Sequence, residues 1–288
     1  MTPPSPRIAY LGPAGTFTHA AARKLFGPSA CYEEAATIDG VFDAVRRSDA
    51  TYGVVPIENS TEGSVTNTVD ALIDGDGVVI RRELLLEVEQ CLISAAPSLA
   101  DVARVYSHPQ ALAQCRAWLA THVAGAQLVP TASTVAAVQE AINDPSAAAI
   151  GSRLAAELYH VPVLHRGVND IAENATRFVV LATEDAEPTG DDKTSVTFAV
   201  HNERGALRRV LEIFDDHGIN LTRIESRPSR RKAWDYVFLA DLDGHREDEN
   251  IKAALAMLSE RIPMLRSLGS YPRYSADTAL KADPSLRS

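Results

Sequence analysis

The sequence predicts an α/β protein in two parts, and three observations carry that expectation. Over residues 7–184 short apolar runs alternate with stretches of helical period, the βα repetition that builds largely parallel sheets. A polar stretch with Gly and Pro, Thr183–Lys193, then interrupts the alternation. Beyond it, residues 194–272 follow the order strand, helix, strand, strand, helix, strand, that of a ferredoxin-like unit. The domains expected are therefore 7–184, a linker at 185–193, a second domain at 194–272 and a polar tail at 273–288 that frays.

The strands of the first part are short, apolar and bounded by turn residues: Arg7–Gly12, Thr51–Pro56, Arg104–Ser107, Ala126–Val129 and Ala147–Ile150. Helical stretches with apolar residues three and four apart occupy Thr18–Phe26, Ile38–Arg47, Thr66–Ile73, Pro109–Thr121, Ser133–Asn143 and Ser152–Tyr159. A single sheet would need many strands, so two α/β lobes are expected. Gly77–Ala96 would carry the chain from one lobe to the other, and the strand in Glu173–Leu181 would bring it back. In the second part the elements are Thr194–His201, Ala206–His217, Asn220–Arg227, Trp234–Leu242, Glu247–Arg261 and Met264–Tyr271.

With 288 residues, 45% of them apolar, the chain can bury two cores. Its net charge of −10 leaves no broad basic field, which argues against a nucleic-acid partner and makes any anion site local. The N-terminus MTPPSPRIAYLG has no apolar segment behind basic residues, and no apolar run is long enough to span a bilayer. Three widely spaced cysteines fit a reducing cytoplasm. Without CxxC or HExxH, and with eight scattered histidines, no metal site is expected. Neither GxGxxG nor GxxxxGK[ST] occurs, so a nucleotide site lacks support.

Several strand-to-helix junctions share a composition. GPAGTFT (Gly12–Thr18), ENSTEGS (Glu58–Ser64), SHPQ (Ser107–Gln110), Ser133-Thr134 and Gly151-Ser152 each set Gly, Ser, Thr or Asn before a helix. Each is explained singly by helix capping. Together they lie where α/β domains bind ligands, at the carboxyl ends of strands, where helix N-termini offer N–H donors to an anion. Thr176 and Arg177 add a hydroxyl and a full charge at the lip of an apolar strand. The pattern reads as a cleft for a small, multiply anionic ligand. His19, His108 and Cys115 could form a nucleophilic set, but nothing in the sequence brings them together, and packing or capping explains each better.

The motifs YLGPAGTFTHAA, VPIENSTEGSV, YSHPQALAQC and NATRFVVL, in that order, resemble prephenate dehydratase, and NERGAL with IESRPSRRKAWDYVFLADLDG resembles the phenylalanine-binding ACT domain of the same enzymes. The resemblance spans about residues 7–272 and is to the monofunctional form. It implies two lobes similar to the type II periplasmic binding proteins, with the active site between them, followed by an ACT domain. The activity implied is loss of CO2 and water from prephenate to give phenylpyruvate, without metal or redox cofactor, in the cytoplasm. Arogenate dehydratase and a non-catalytic amino-acid sensor are the alternatives. Thr176 is then the catalytic residue, donating a hydrogen bond to the departing oxygen or relaying a proton through water. Asn59, Ser60, Thr61, Ser64, Ser107, Gln114, Asn174 and Phe178 are the implied substrate contacts. Arg177 would hold a substrate carboxylate as a bidentate fork, or else form a structural ion pair with Glu173. Glu58 would be a proton source, a cap or a loop brace. L-phenylalanine, the implied effector, would meet Gly205, Ala206, Leu207, Asn220, Leu221, Glu225, Ser226, Arg227 and Pro228, with ACT domains paired in a homodimer or homotetramer.

Overall fold

The fold follows from three sheets, seen in a computed structural model that describes residues 6–229 and 236–275. The first lobe runs β1 (Arg7–Leu11), α1 (Phe17–Phe26), β2 (Cys31–Ala35), α2 (Ile38–Arg46), β3 (Tyr52–Asn59), β4 (Gly63–Ser64), α3 (Thr66–Asp74) and β5 (Val79–Glu87). The chain then crosses to a second lobe: β6 (Cys91–Ser94), β7 (Arg104–Ser107), α4 (Pro109–Gln114), α5 (Arg116–His122), β8 (Gln127–Pro130), α6 (Thr134–Ile142), β9 (Ala147–Gly151), α7 (Arg153–Tyr159) and β10 (Val163–Arg166). It returns as β11 (Ala175–Ala182) into the sheet of the first lobe, between β3 and β5. The last part is β12 (Asp192–Ala199), α8 (Ala206–Asp216), β13 (Leu221–Pro228), β14 (Tyr236–Asp243), α9 (Glu249–Arg261) and β15 (Met264–Pro272). Its sheet order β13-β14-β12-β15 is the ferredoxin-like one. The basic residues 230–232 and the expected strand start at Trp234 lie outside the described residues, as does the tail beyond 275.

The local reasons for these elements are plain. α2 presents Ile38, Val41, Phe42 and Val45 to the core, three and four apart, and Thr37 caps it by accepting from Gly40 N–H. Ser133 and Ser152 cap α6 and α7 in the same way. β9, AAAIG, is buried throughout. Its small side chains let layers close on both faces of the sheet.

Three features differ from the sequence expectation. The two lobes carry mixed sheets, because β11 enters antiparallel to β3 and β5, and β6 lies antiparallel to β9 and β10. The single helix expected over Pro109–Thr121 breaks at Cys115. There the Asp170 carboxylate, from a distant loop, accepts from Ala117 N and Trp118 N at 2.9 Å each and starts a new helix. β2 and β10 are edge strands whose sequences, CYEEA and VLHR, lack the apolar alternation that marks a strand.

The C-terminal domain covers its own core with α8 and α9. The other face of its sheet sends Leu239, Leu268 and Tyr271 into the core of the first lobe, beside Ile57, Ile80, Val179 and Leu181. β15 lies hard against β5. Gly269 has φ +129°, and a Cβ there would stand 2.1 Å from the Ile80 carbonyl oxygen. No side chain fits, so Gly269→Ala should force the two domains apart. The cost expected is about 1–3 kcal/mol from overpacking, with the positive φ adding to it. Chemical denaturation of the full chain checks this; wild-type stability would show that the contact is not tight.

Candidate active site

The site is organised by one irregularity in the pairing of β3 with β11. Thr176 pairs with Asn59 and Arg177 with Glu58, but Phe178 pairs with Pro56. Ile57 is the extra residue of a β-bulge. Without it, strict alternation would put Asn59 on the face of Ile57. With it, Glu58 stays on that face, and Asn59 turns to the opposite one beside Thr176. The strand pair thus presents Asn59 and Thr176 toward the second lobe, and Glu58 and Arg177 toward the C-terminal domain.

On the cleft side the Asn59 amide is the centre of a fixed network. Its Oδ1 accepts from Thr61 N (3.0 Å), Thr61 Oγ1 (2.6 Å) and Glu62 N (3.2 Å). Backbone N–H groups can only donate, so they decide which end of the amide is oxygen. Its Nδ2 is therefore aimed the other way. It donates to Thr176 Oγ1 at 2.9 Å and to Asn174 Oδ1 at 3.0 Å. With a lone pair of Oγ1 engaged by Asn59, the Thr176 hydroxyl keeps its proton for a further partner; among the described residues no bond from it is seen. Ser60 ties the loop to the strand: its N–H donates to Ala175 O (2.9 Å), and its Oγ accepts from Ala175 N (3.0 Å). Gln114, from the second lobe, receives Asn174 Nδ2 (3.4 Å) and Gln90 Nε2 (3.3 Å) and donates to Glu62 Oε1 (3.2 Å). Asn59, Ser60, Thr61, Gln114, Asn174 and Thr176 are thereby gathered into one cluster bridging the lobes. Gln90 and Glu62 complete it, and sequence reading had not singled them out.

Four expected substrate contacts point elsewhere. Arg177 faces the C-terminal domain, because a strand alternates its side chains and Thr176 takes the cleft side. Its Nε reaches Glu83 Oε2 (2.7 Å), its Nη1 Asp241 Oδ2 (2.6 Å) and its Nη2 Tyr271 OH (2.9 Å). The fork is spent on protein groups, and the ion-pair partner is not Glu173. Burial alone would lower the Arg177 pKa, but Tyr271, Asp241 and Glu83 outweigh it and the guanidinium is held charged. Lys193 Nζ, 2.9 Å from Glu83 Oε1, balances the second carboxylate. Ser64 likewise faces the C-terminal domain, donating to Glu225 Oε2 at 2.5 Å. Ser107 is fully buried and donates to Ile150 O at 2.8 Å, bracing the sheet of the second lobe. Phe178 belongs to the core packed against α1.

The nucleophilic set does not assemble. His108 is the N-cap of α4. Cys115 is buried among apolar residues, which pushes its thiol up to about 12. Among the described residues no group of three or more His, Cys, Asp and Glu is placed to hold a metal ion. Within the chain, Gly205, Ala206 and Leu207 line a cavity of about 260 Å³ with Tyr236 and Phe238. Glu225 and Arg227 instead reach toward the first lobe, Arg227 pairing with Asp70 at 3.0 Å.

His19 shapes the rim. It stacks on Tyr10 with ring centroids 4.6 Å apart, and its Nδ1 accepts from Gly15 N at 3.1 Å. Gly15 in turn touches the second lobe, where the Ser152 hydroxyl donates to its carbonyl. Burial, then the charge of Arg23, lowers the His19 pKa. The folded state thus resists a proton that the unfolded chain accepts, so stability is lost as pH falls from the ordinary imidazole range toward the depressed value. His19→Asn, whose amide oxygen can replace Nδ1, should flatten this dependence. Thermal unfolding at pH 7.5 and 5 checks it; parallel pH dependence in both proteins would clear His19.

The sequence matches the family profile described as Prephenate dehydratase over residues 8–186 and that of the ACT domain over residues 194–258. It is 48% identical to a bifunctional chorismate mutase/prephenate dehydratase of Aquifex aeolicus over 93% of this chain and 74% of that protein. A crystal structure of prephenate dehydratase in complex with L-Phe, from Arthrobacter aurescens, superposes with TM-score 0.85 at 37% identity, covering 93% of this chain and 90% of that one. A structure described as a novel type of quorum quenching acylase superposes with TM-score 0.84 at 31% identity, over 93% and 98% of the two chains.

Proposed function

The chain belongs to the prephenate dehydratase family, and on that premise we propose that it converts prephenate into phenylpyruvate, CO2 and water, with L-phenylalanine as its effector. The observation that carries the chemical part is the Asn59 amide, fixed by two backbone N–H groups and donating to Thr176 Oγ1 at 2.9 Å. It leaves the Thr176 proton as the group to be donated.

In this reaction the ring carboxylate leaves as CO2. Its carbon–carbon electron pair enters the ring, and the ring hydroxyl departs with a proton as water. Aromaticity drives the step, but hydroxide is a poor leaving group unless its developing charge is met by a donor. A threonine hydroxyl does not ionise near neutrality, so Thr176 acts as a preoriented hydrogen-bond donor or passes a proton through water. The amides of Asn174 and Gln114 line the same cluster and suit the neutral recognition of carboxylates. On this reading the Arg177 guanidinium, engaged by Glu83, Asp241 and Tyr271, is left out of that recognition. For the effector, the start of α8 at Gly205 offers bare N–H groups to a carboxylate, and we expect paired ACT domains to complete the site. The three cysteines are free, which suits a cytoplasmic enzyme. No described helix is long and apolar enough to cross a membrane.

Because one fold serves more than one chemistry, the test is direct. Purified full chain incubated with prephenate should release phenylpyruvate, faster than it turns over arogenate, and L-phenylalanine should slow it. Thr176→Ala should lower kcat about 10²–10³-fold with substrate binding largely kept, the loss of one transition-state donor. Failure of the wild type to consume prephenate, or a Thr176→Ala variant near wild-type turnover, would overturn the reading.

A further inference from the structure

Ser64, Arg223 and Glu225 close a triangle across the boundary between the first lobe and the C-terminal domain. Arg223 Nη2 donates to Ser64 Oγ at 2.7 Å and to Glu225 Oε2 at 2.8 Å, and Ser64 Oγ donates to that same carboxylate oxygen at 2.5 Å. The Arg223 side chain is 8% exposed, and its Nη1 is buried without a hydrogen-bond partner among the described residues. A stranded donor on a buried cation is costly, which asks for a role beyond packing.

That role is visible in the register. Ser64 pairs with Glu58, and Gly63 pairs with Asn59. Gly63, at φ +80°, helps turn the short connection between them. At the tip, Thr61 and Glu62 give their N–H groups to Asn59 Oδ1. The hairpin 59–64 is thus held at its base by Arg223 and at its tip by the amide that aims at Thr176. Glu58 Oε2 stands 3.9 Å from Arg177 Nη1 and 3.9 Å from Arg223 Nε, between two buried guanidiniums.

We propose that Arg223, a residue of the ACT domain, is a positioning residue of the catalytic site: by holding Ser64 it fixes the hairpin and sets the Asn59 amide against Thr176. The chemical consequence rests on the dehydratase reading; the mechanical one does not. A shift of the ACT domain on the first lobe is carried to the Asn59 hairpin through this contact, so the domain that senses an effector also completes the support of the site.

The test uses Arg223→Met, Ser64→Ala and their double variant in the full chain. Each single variant should lower kcat about tenfold, some 1.4 kcal/mol of lost transition-state stabilisation, with KM little changed. The double should fall no further than the worse single, because both act through one contact. Hydrogen exchange gives a readout independent of activity: the Thr61 and Glu62 amides should exchange about tenfold faster in each variant while those of β7 and β9 stay as in wild type. Unaltered exchange and turnover in Ser64→Ala overturn the proposal, as does a double variant whose loss is the product of the singles. If Arg223→Met does not fold, Ser64→Ala, which removes a single oxygen, decides by the same exchange measurement. If wild type proves inactive on prephenate, the proposed function falls, and the exchange result still decides whether Arg223 holds the hairpin.

Discussion

A guanidinium buried between two domains is the constraint on which the rest of this molecule depends. Arg177 sits 8% exposed with carboxylates from both sides, Glu83 from the first lobe and Asp241 from the ACT domain. Neither domain alone satisfies it. Lys193 balances Glu83, Ser195 Oγ donates to Asp241 Oδ1 at 2.6 Å, and Tyr271 OH, 2.7 Å from Ser195 Oγ, accepts from Arg177 Nη2. Burial would raise the Asp241 carboxyl, but Arg177 and the Ser195 hydroxyl reverse the direction and hold it below the usual range. Such a cluster is poor stabilisation for its size, since desolvation offsets most of the attraction, but it is specific: each member needs all the others in place. It fixes the docking of the ACT sheet in the layer where Gly269 meets Ile80.

The same strand carries Thr176, the proposed hydrogen-bond donor, on its other face. A strand offers its side chains alternately, so the dipeptide Thr176-Arg177 cannot serve one site. Thr176 faces the second lobe, and Arg177 ties its backbone to the regulatory domain. The bulge at Ile57 does the equivalent for β3, sending Asn59 to the cleft and Glu58 to the interface. The proposed catalytic surface and the ACT-domain interface are two sides of one sheet, separated by the thickness of a backbone.

Much of this was legible in the sequence. Apolar runs such as Arg104–Ser107 and the period of Ile38–Arg47 placed elements to within a residue, because core burial dictates both. The ferredoxin-like order was readable for the same reason. The antiparallel entry of β11 was not, since pairing direction leaves no local trace. Nor was the break at Cys115, set by Asp170 more than fifty residues away. The cluster of Asn59, Thr61 and Thr176 could be named from motif resemblance. The direction of Arg177 could have been read with one more rule. Asp241, inside VFLADLD, and Glu83, inside RRELLLE, are acids within apolar strands. A buried carboxylate requires a buried cation, and Arg177 is the cation that begins an apolar run of its own.

Arg177 is the residue at which two roles predict opposite kinetics. In full-length Arg177→Met, equilibrium unfolding and prephenate kinetics would be measured on the same preparation. An interface role leaves Asp241 and part of Glu83 uncompensated, so stability should fall by about 3–5 kcal/mol and kcat with it, while KM stays near the wild-type value. A large rise in KM with stability unchanged would show that Arg177 grips the substrate and that the two-faced strand is the wrong description.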